Sequence, residues 1–183
     1  AQFNHKLGPI QRGDVYEDPL IEFLEQHDAG EVDGGGTLQE KNGEIDWCDV
    51  NMFLNPSAVS LIPSIIQFLE QRGAPKGSKF TYYLAAGTKQ ELSFGHREGF
   101  GIYLDGVNLP DEVYKTSDVN FVFDEIDRLL SGHGSVESHW QGPTETALYV
   151  YGDSLSTMKP LIADLLATYP LCQGARVVDL TPG

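Results

Sequence analysis

The residues whose spacing comes closest to a reactive site are three carboxylates within six positions, Glu44, Asp46 and Asp49. On a strand, Glu44 and Asp46 would point to one face and Asp49 to the other. Paired carboxylates can bind a divalent cation or act as general acid and base. These acids do not recur in the corresponding strand of the second half, which reads TETALYVY. We therefore expect them to protect an exposed sheet edge, where charge opposes unwanted strand pairing.

A glycine run, Gly34 to Gly36 followed by Thr37, invites comparison with a phosphate-binding loop. Such a loop needs Gly-Lys-Ser/Thr immediately before a helix, but here Leu38 and Gln39 follow. Glycine is also the usual residue where a strand bulges or kinks. We predict a bulged or kinked strand at this position.

The remaining reactive residue types show no catalytic or metal-binding arrangement. None of the histidines lies beside a serine or cysteine in a nucleophile motif; they are His5, His27, His96, His133 and His139. Cys48 and Cys172 lack zinc-site spacing. We expect two free thiols; a single disulfide is the alternative if the fold brings the Cα atoms within about 7 Å. We expect no catalytic residue, no metal and no cofactor.

The segment from Asp105 to Asp118 is predicted to be a long loop, and it has no counterpart in the first half. Long loops at strand ends often carry function. The side chains that we predict to bind a partner protein are Asp105, Asn108, Asp111 and Glu112. Alternatively, Val107, Leu109 and Tyr114 pin this loop to the core.

Aromatic residues form a second candidate surface. Tyr149 and Tyr151 share one strand face by the period of two, and Trp140 lies on the predicted hairpin partner. Such a face must meet the other half of the chain, a ligand or a partner chain. We favour a seam between the halves, with a small-molecule site there as the alternative. Base stacking, as in RNA-binding modules, needs basic flanks that this chain lacks.

The elements that position these residues occur twice. Residues 53–81 align without a gap to residues 150–178, at a constant offset of 97. Ser57 falls on Ser154, and Pro63 falls on Pro160. Because proline inside a helix removes a donor and clashes with the preceding turn, we expect a kink or a late helix start, near Ser60, in both copies.

Apolar periodicity and turn signals predict nine strands and four helices. The first 13 residues hold at most a short edge strand, and the first helix begins at Asp18-Pro19. Strands of the first half are predicted at 31–37, 44–54, 79–86 and 89–94, with a helix from Asn55-Pro56 to residue 72. In the second half we expect strands at 100–104, 136–141, 146–151 and 175–180, with helices from Asp118 and Asp153.

This order predicts an α+β fold: a tandem duplication of the ferredoxin-like βαββαβ unit, each an antiparallel sheet with helices on one face. We expect the first repeat at residues 1–95, with an extra hairpin strand, and the second at 96–183.

The net charge of −15 limits the possible partners. The acidity is spread over both halves, at −6 for residues 1–90 and −9 for residues 91–183. Nucleic acid is disfavoured, because its binding draws on clustered Lys and Arg. A basic protein is favoured, because the summed field would steer it in, although acidity can also simply keep a protein soluble. With no apolar run of about 18 residues, we expect no membrane association and a cytoplasmic location.

Three stretches, GEVDGGGTLQEKNGEIDWCDVNMFL, GIYLDGVNLPDEVY and TALYVYGDSLSTMKPLIADLL, resemble small acidic bacterial proteins, some of them similar to immunity proteins of polymorphic-toxin systems. The resemblance implies a non-catalytic, protein-binding protein that neutralises a basic toxin through its acidic surface. The alternative function is a small-molecule sensor with its ligand between the repeats, at Trp140, Tyr149 and Tyr151.

Overall fold

The computed structural model describes residues 1–84 and 87–182. It is an α+β protein with two antiparallel sheets. In the described part of the chain, no helix is long and apolar enough to cross a membrane. The predicted strand at residues 79–86 is observed as Ser78–Tyr83, and its last two positions, Ala85 and Ala86, lie outside the described residues.

The chain forms two compact units, which divide after His96, one residue beyond the predicted boundary. The first unit consists of Ala1–Glu40 and Ile45–His96. The second unit consists of Lys41–Glu44 and the chain from Arg97 onward. The turn at Asn42-Gly43 therefore belongs to the second unit, although the two strands that it joins belong to the first.

The first unit has one sheet, with strands in the order β2-β3-β1-β4-β5. Its strands are β1 (Gln2–Phe3), β2 (Gly30–Gln39), β3 (Ile45–Leu54), β4 (Ser78–Tyr83) and β5 (Lys89–Phe94). Its helices are α1 (Pro9–Arg12), α2 (Asp18–Gln26) and α3 (Ile62–Gln71). The predicted edge strand at the start of the chain is wrong in its position, because β1 lies in the middle of the sheet. Gln2 pairs with Asp49 of β3 on one side and with Lys79 of β4 on the other.

The second unit has a sheet in the order β7-β8-β6-β9, with every neighbouring pair antiparallel. Its strands are β6 (Glu98–Asp105), β7 (Gly134–Gln141), β8 (Glu145–Gly152) and β9 (Arg176–Asp179). Its helices are α4 (Asp111–Thr116), α5 (Val119–Leu129) and α6 (Leu155–Thr168). The core holds apolar side chains from this sheet, α5 and α6, among them Ile102, Leu148, Val150, Val122, Ile126 and Ile162.

The segment predicted to be one long loop contains the short helix α4. Pro110 precedes this helix, Asp111 and Glu112 lie in its first turn, and Lys115 lies in its last. Acids near the start and a base near the end of a helix complement the charges of the helix dipole. The loop prediction missed this turn because α4 is only six residues long.

The helix predicted to begin at Asp18 does begin there, as α2, but helical backbone that was not predicted precedes it from Pro9. A π-helical stretch, Gly13–Glu17, joins α1 to α2 without a break. Pro19 has no N–H to donate to the carbonyl of Val15, four residues earlier. The Arg72 Nε atom donates to that carbonyl at 3.1 Å. The helix therefore passes through a proline that resembles a helix start.

The two aligned prolines occupy different positions. Pro63 lies in the first turn of α3, just after the 3-10 helix Pro56–Leu61, so the predicted late start is confirmed there. Pro160 lies inside α6, so the late helix start does not recur there. The difference follows from Ser154, whose side chain caps α6 by accepting from the Thr157 N–H and starts the helix at Leu155.

We expect Pro160→Ala to raise the free energy of unfolding by about 1–2 kcal/mol, since alanine restores a donor inside α6 and removes the ring. Pro63→Ala is the matched control. It should change stability by less than about 1 kcal/mol, and in the destabilising direction, because a first-turn proline loses no helical hydrogen bond. Urea unfolding followed by circular dichroism measures both variants, and a more stable Pro63→Ala than Pro160→Ala would contradict this account.

Candidate binding surfaces

The three carboxylates at residues 44–49 have separate roles. Glu44 lies in the turn before β3, Asp46 is exposed, and Asp49 accepts a hydrogen bond from the Gly36 N–H. The predicted edge protection is wrong, because β3 lies between β2 and β1. Among the described residues, no group of three or more His, Cys, Asp or Glu could hold a metal ion.

Glu44 binds two tyrosines of the second unit. Its Oε1 atom accepts from the Tyr103 hydroxyl at 2.6 Å and from the Tyr149 hydroxyl at 2.8 Å. The two rings meet edge to face, with centroids 6.4 Å apart. Burial first, and then the Glu44 carboxylate, raise the pKa of both phenols above the usual range. The phenols remain protonated donors, which suits them to holding the 41–44 turn.

This tyrosine cluster lies on the sheet face opposite α5 and α6. It contains Tyr103, Ala147, Tyr149 and Tyr151, with Trp140 packed against it. Tyr149 and Tyr151 have no exposed surface, whereas Trp140 is half-buried. Of the three aromatic residues predicted at a seam or ligand site, Trp140 is thus the one that is partly exposed.

The glycine run lies in β2 and bulges, as predicted, with a register shift between Val32 and Gly34. Gly35 faces an ion pair between buried Arg12 and half-buried Glu17: the Arg12 Nε atom donates to Glu17, and the Arg12 Nη1 atom donates to Thr37 at 2.8 Å. A Cβ atom at Gly35 would lie 2.8 Å from both Arg12 Nε and Glu17 Oε1. Gly35 therefore makes room for this ion pair.

Both cysteines are free and buried, which confirms the prediction of two thiols. Burial raises the pKa of Cys48 to about 12 and that of Cys172 to about 11. Since the thiolate is the nucleophile, neither side chain is activated for attack.

The Asp105 side chain holds its own loop. Its Oδ1 atom accepts from the N–H groups of Val107 at 2.9 Å and Asn108 at 2.8 Å, and these bonds lower the pKa of the carboxyl group. The Tyr114 hydroxyl accepts from the Leu109 N–H at 2.9 Å. Val107 does not hold the loop to the core, because it is 52% exposed. Of the four predicted partner-binding residues, Asp105 and Asn108 thus shape the loop.

The other two predicted partner-binding residues, Asp111 and Glu112, are exposed in the first turn of α4. Between this loop, α5 and the ends of β7 and β8 lies a cavity of about 460 Å³, which has Asp105 in its lining.

A longer acidic surface lies on the first unit and was missed at the level of sequence. Its acids are exposed along the α1–α2 segment at helical spacing: Asp14, Asp18, Glu22 and Glu25. The signal was available, since residues 13–40 contain nine acids and no Lys or Arg. A charge summed over residues 1–90 does not reveal this run, because all seven Lys and Arg of that half lie outside residues 13–40. We call these four residues the acidic helix face.

The acidic helix face continues into a groove of about 530 Å³. Glu25, Asp28 and Glu31 line this groove, and none of the lining residues is Lys or Arg. Phe53, also in the lining, is 62% exposed. An aromatic ring beside carboxylates suits a guanidinium or ammonium group, which can pair with the acids and stack on the ring.

Neither protein-family models, nor curated proteins, nor solved structures provide a match to this chain. Its function is therefore inferred from the charges and contacts of its own residues. Those residues divide into buried groups that hold the fold and exposed acids that remain available to a partner.

Proposed function

We propose that this protein is a non-catalytic binding protein whose acidic surface takes up a basic protein, as an immunity protein does when it neutralises a toxin. The acidic helix face carries this proposal. Its four acids are exposed, and their segment of chain contains no base that could neutralise them. Clustered charge of one sign raises the rate of encounter with an opposite partner and makes its binding sensitive to salt.

The non-catalytic part of the proposal is supported by the roles of buried and half-buried charged groups. Arg12 pairs with Glu17, Asp49 binds a backbone N–H, and Glu44 binds two phenols. Each of these groups holds two parts of the fold together. Such an arrangement suits a rigid scaffold that presents its charges outward.

We also propose that each unit is ferredoxin-like and that the chain is a tandem duplication. The strand order of the second unit, β7-β8-β6-β9, supports this, as does β2-β3-β1-β4 in the first unit with β5 added at the edge. The aligned segments 53–81 and 150–178 support it further, since each contains the end of a strand, a helix and the next strand.

Co-expression with the products of neighbouring genes, followed by calorimetry at low and high salt, tests the protein-binding proposal. We expect one basic product to bind, and to bind more weakly as salt rises. Reversing the acidic helix face with Asp14→Lys, Asp18→Lys, Glu22→Lys and Glu25→Lys should weaken that affinity by about 100-fold, at roughly 0.7 kcal/mol for each exposed charge.

Two control variants locate the binding surface. Asp164→Lys changes an exposed acid on α6 and should leave the affinity within about twofold of the native value. Asp111→Lys with Glu112→Lys tests the surface predicted from sequence. If this pair abolishes binding while the reversed helix face does not, the partner uses α4 instead. If no basic product binds even at low salt, the proposed function is wrong.

A further inference from the structure

The cavity of about 460 Å³ in the second unit has the size of a small-molecule site. Its apolar lining includes Leu104, Val119, Phe123 and Leu171. Its polar lining includes Asp105, Asn120, Asp124, His139, Gln141 and Thr146. Apolar side chains beside convergent polar groups suit a small ligand, because burial of apolar surface gives affinity and the polar groups fix orientation.

The walls of this cavity are held in place before any ligand enters. The Asp105 carboxylate and the Tyr114 hydroxyl fix the loop on one side. On the other side, the Tyr169 hydroxyl accepts from the Asp118 N–H at 3.0 Å, at the start of α5, and the Tyr169 ring packs 4.8 Å from Phe121. A site with fixed walls avoids the cost of ordering them on binding.

The charge of the lining selects a cation. Asp105 and Asp124 supply two carboxylates, and the lining contains no Lys or Arg. The N–H groups that bind Asp105 keep it ionised by lowering its pKa. The start of α5 would favour an anion, but the Asp118 side chain already caps it by accepting from the Asn120 N–H at 2.9 Å. The two carboxylates therefore determine the charge that a ligand meets in the cavity, and this charge is negative.

The shape of the ligand follows from the aromatic wall. Phe123 and His139 meet edge to face, with ring centroids 5.6 Å apart. An aromatic ring entering the cavity can pack against Phe123 while its amine reaches the exposed carboxylate of Asp124, which also lines the cavity. We propose that this cavity binds a small arylalkylamine: an aromatic ring on a short chain that ends in a protonated amine. This inference is independent of the proposed protein partner, because the acidic helix face belongs to the other unit.

Calorimetric titration of the full chain with 2-phenylethylamine tests the site. The first comparison compound is 2-phenylethanol, which keeps the ring and loses the charge, and the second is butylamine, which keeps the charge and loses the ring. We expect 2-phenylethylamine to bind at least about tenfold more tightly than either. Backbone amide shifts in NMR should be largest at Asn120, Asp124 and His139.

Variants separate this site from the rest of the surface. Asp124→Asn should lower the affinity for 2-phenylethylamine by at least about fivefold. Phe123→Leu, which keeps an apolar wall without the ring, should lower it by a similar factor. Asp111→Asn, on α4 and outside the cavity, should leave the affinity unchanged. Equal affinity for the amine and the alcohol, unchanged affinity in Asp124→Asn, amide shifts centred elsewhere, or no binding by any of the three compounds would each overturn the proposal.

Discussion

Replacing Glu44 by leucine is expected to lower the free energy of unfolding of the second unit by roughly 3 kcal/mol. The Glu44 carboxylate is the acceptor for two phenol groups, at 2.6 Å from Tyr103 and 2.8 Å from Tyr149. Because Tyr149 has no exposed surface, its hydroxyl cannot turn to bulk water when the acceptor is lost. Hydrogen bonds to a charged group each contribute about 1.5–3 kcal/mol, so the loss of two of them accounts for a destabilisation of this size.

The measurement needs a probe confined to one unit, since a chain of two units need not unfold in one step. Trp47 lies in the first unit and Trp140 in the second. In a Trp47→Phe background, the fluorescence of Trp140 during urea unfolding reports on the second unit. Glu44→Gln should lower the free energy of unfolding by less, about 1–2 kcal/mol, because the amide oxygen of glutamine still accepts hydrogen bonds. Asp46→Leu, which changes an exposed acid two residues away, is the matched control. An equal loss of unfolding free energy in Asp46→Leu would contradict a stabilising role for the hydrogen bonds between Glu44 and the two tyrosines.

Replacing Gly35 by alanine is expected to lower the free energy of unfolding of the first unit by about 2–4 kcal/mol. The added Cβ would lie 2.4 Å from the backbone oxygen of Asp49, which is fixed by strand pairing. It would also lie 2.8 Å from Arg12 Nε and from Glu17 Oε1, so relief requires moving the ion pair of a buried arginine and a half-buried glutamate. Moving Glu17 away would leave the buried Arg12 guanidinium without its charge partner, which is costly.

Gly13→Ala provides a control of opposite sign. A Cβ atom at Gly13 would meet nothing within 4 Å, and its backbone has a helical φ of −53°. Alanine should therefore stabilise the first unit, by about 0.5–1 kcal/mol. Urea unfolding followed by the fluorescence of Trp47, in a Trp140→Phe background, measures both variants. A Gly35→Ala protein as stable as the native one would show that the ion pair does not require the absence of a side chain at residue 35.

Several elements could be predicted because their signals are local. Asp118 caps α5 as expected, and strand β5 has its predicted bounds, Lys89–Phe94. The Asn42-Gly43 turn forms, with Gly43 at a φ of +86° and the Asn42 side chain accepting from the Glu44 N–H. In each case the residues that decide the structure are within a few positions of one another, so the sequence pattern contains the whole interaction.

Other features were not predicted, or were predicted wrongly, where distant residues take part. The helical backbone before Asp18 was not predicted; there Arg72 donates to the Val15 carbonyl, which Pro19 cannot bind. Likewise, β1 occupies the centre of its sheet although it is two residues long, because β3 and β4 pair with it from both sides. The residues next to Pro19 and next to β1 in the sequence contain no information about these distant partners.

The amino-acid sequence by itself determined the α+β class of the fold and the net charge of −15, and it favoured free thiols over a disulfide. Only the tertiary structure decided what each acid does. Glu44 finds its two phenols 59 and 105 residues away, and Asp49 binds a strand neighbour 13 residues away, whereas Asp14, Asp18 and Glu22 remain exposed. The physical reason is that a carboxylate is either a surface charge or a buried acceptor according to which donors reach it, and those donors come from remote parts of the chain.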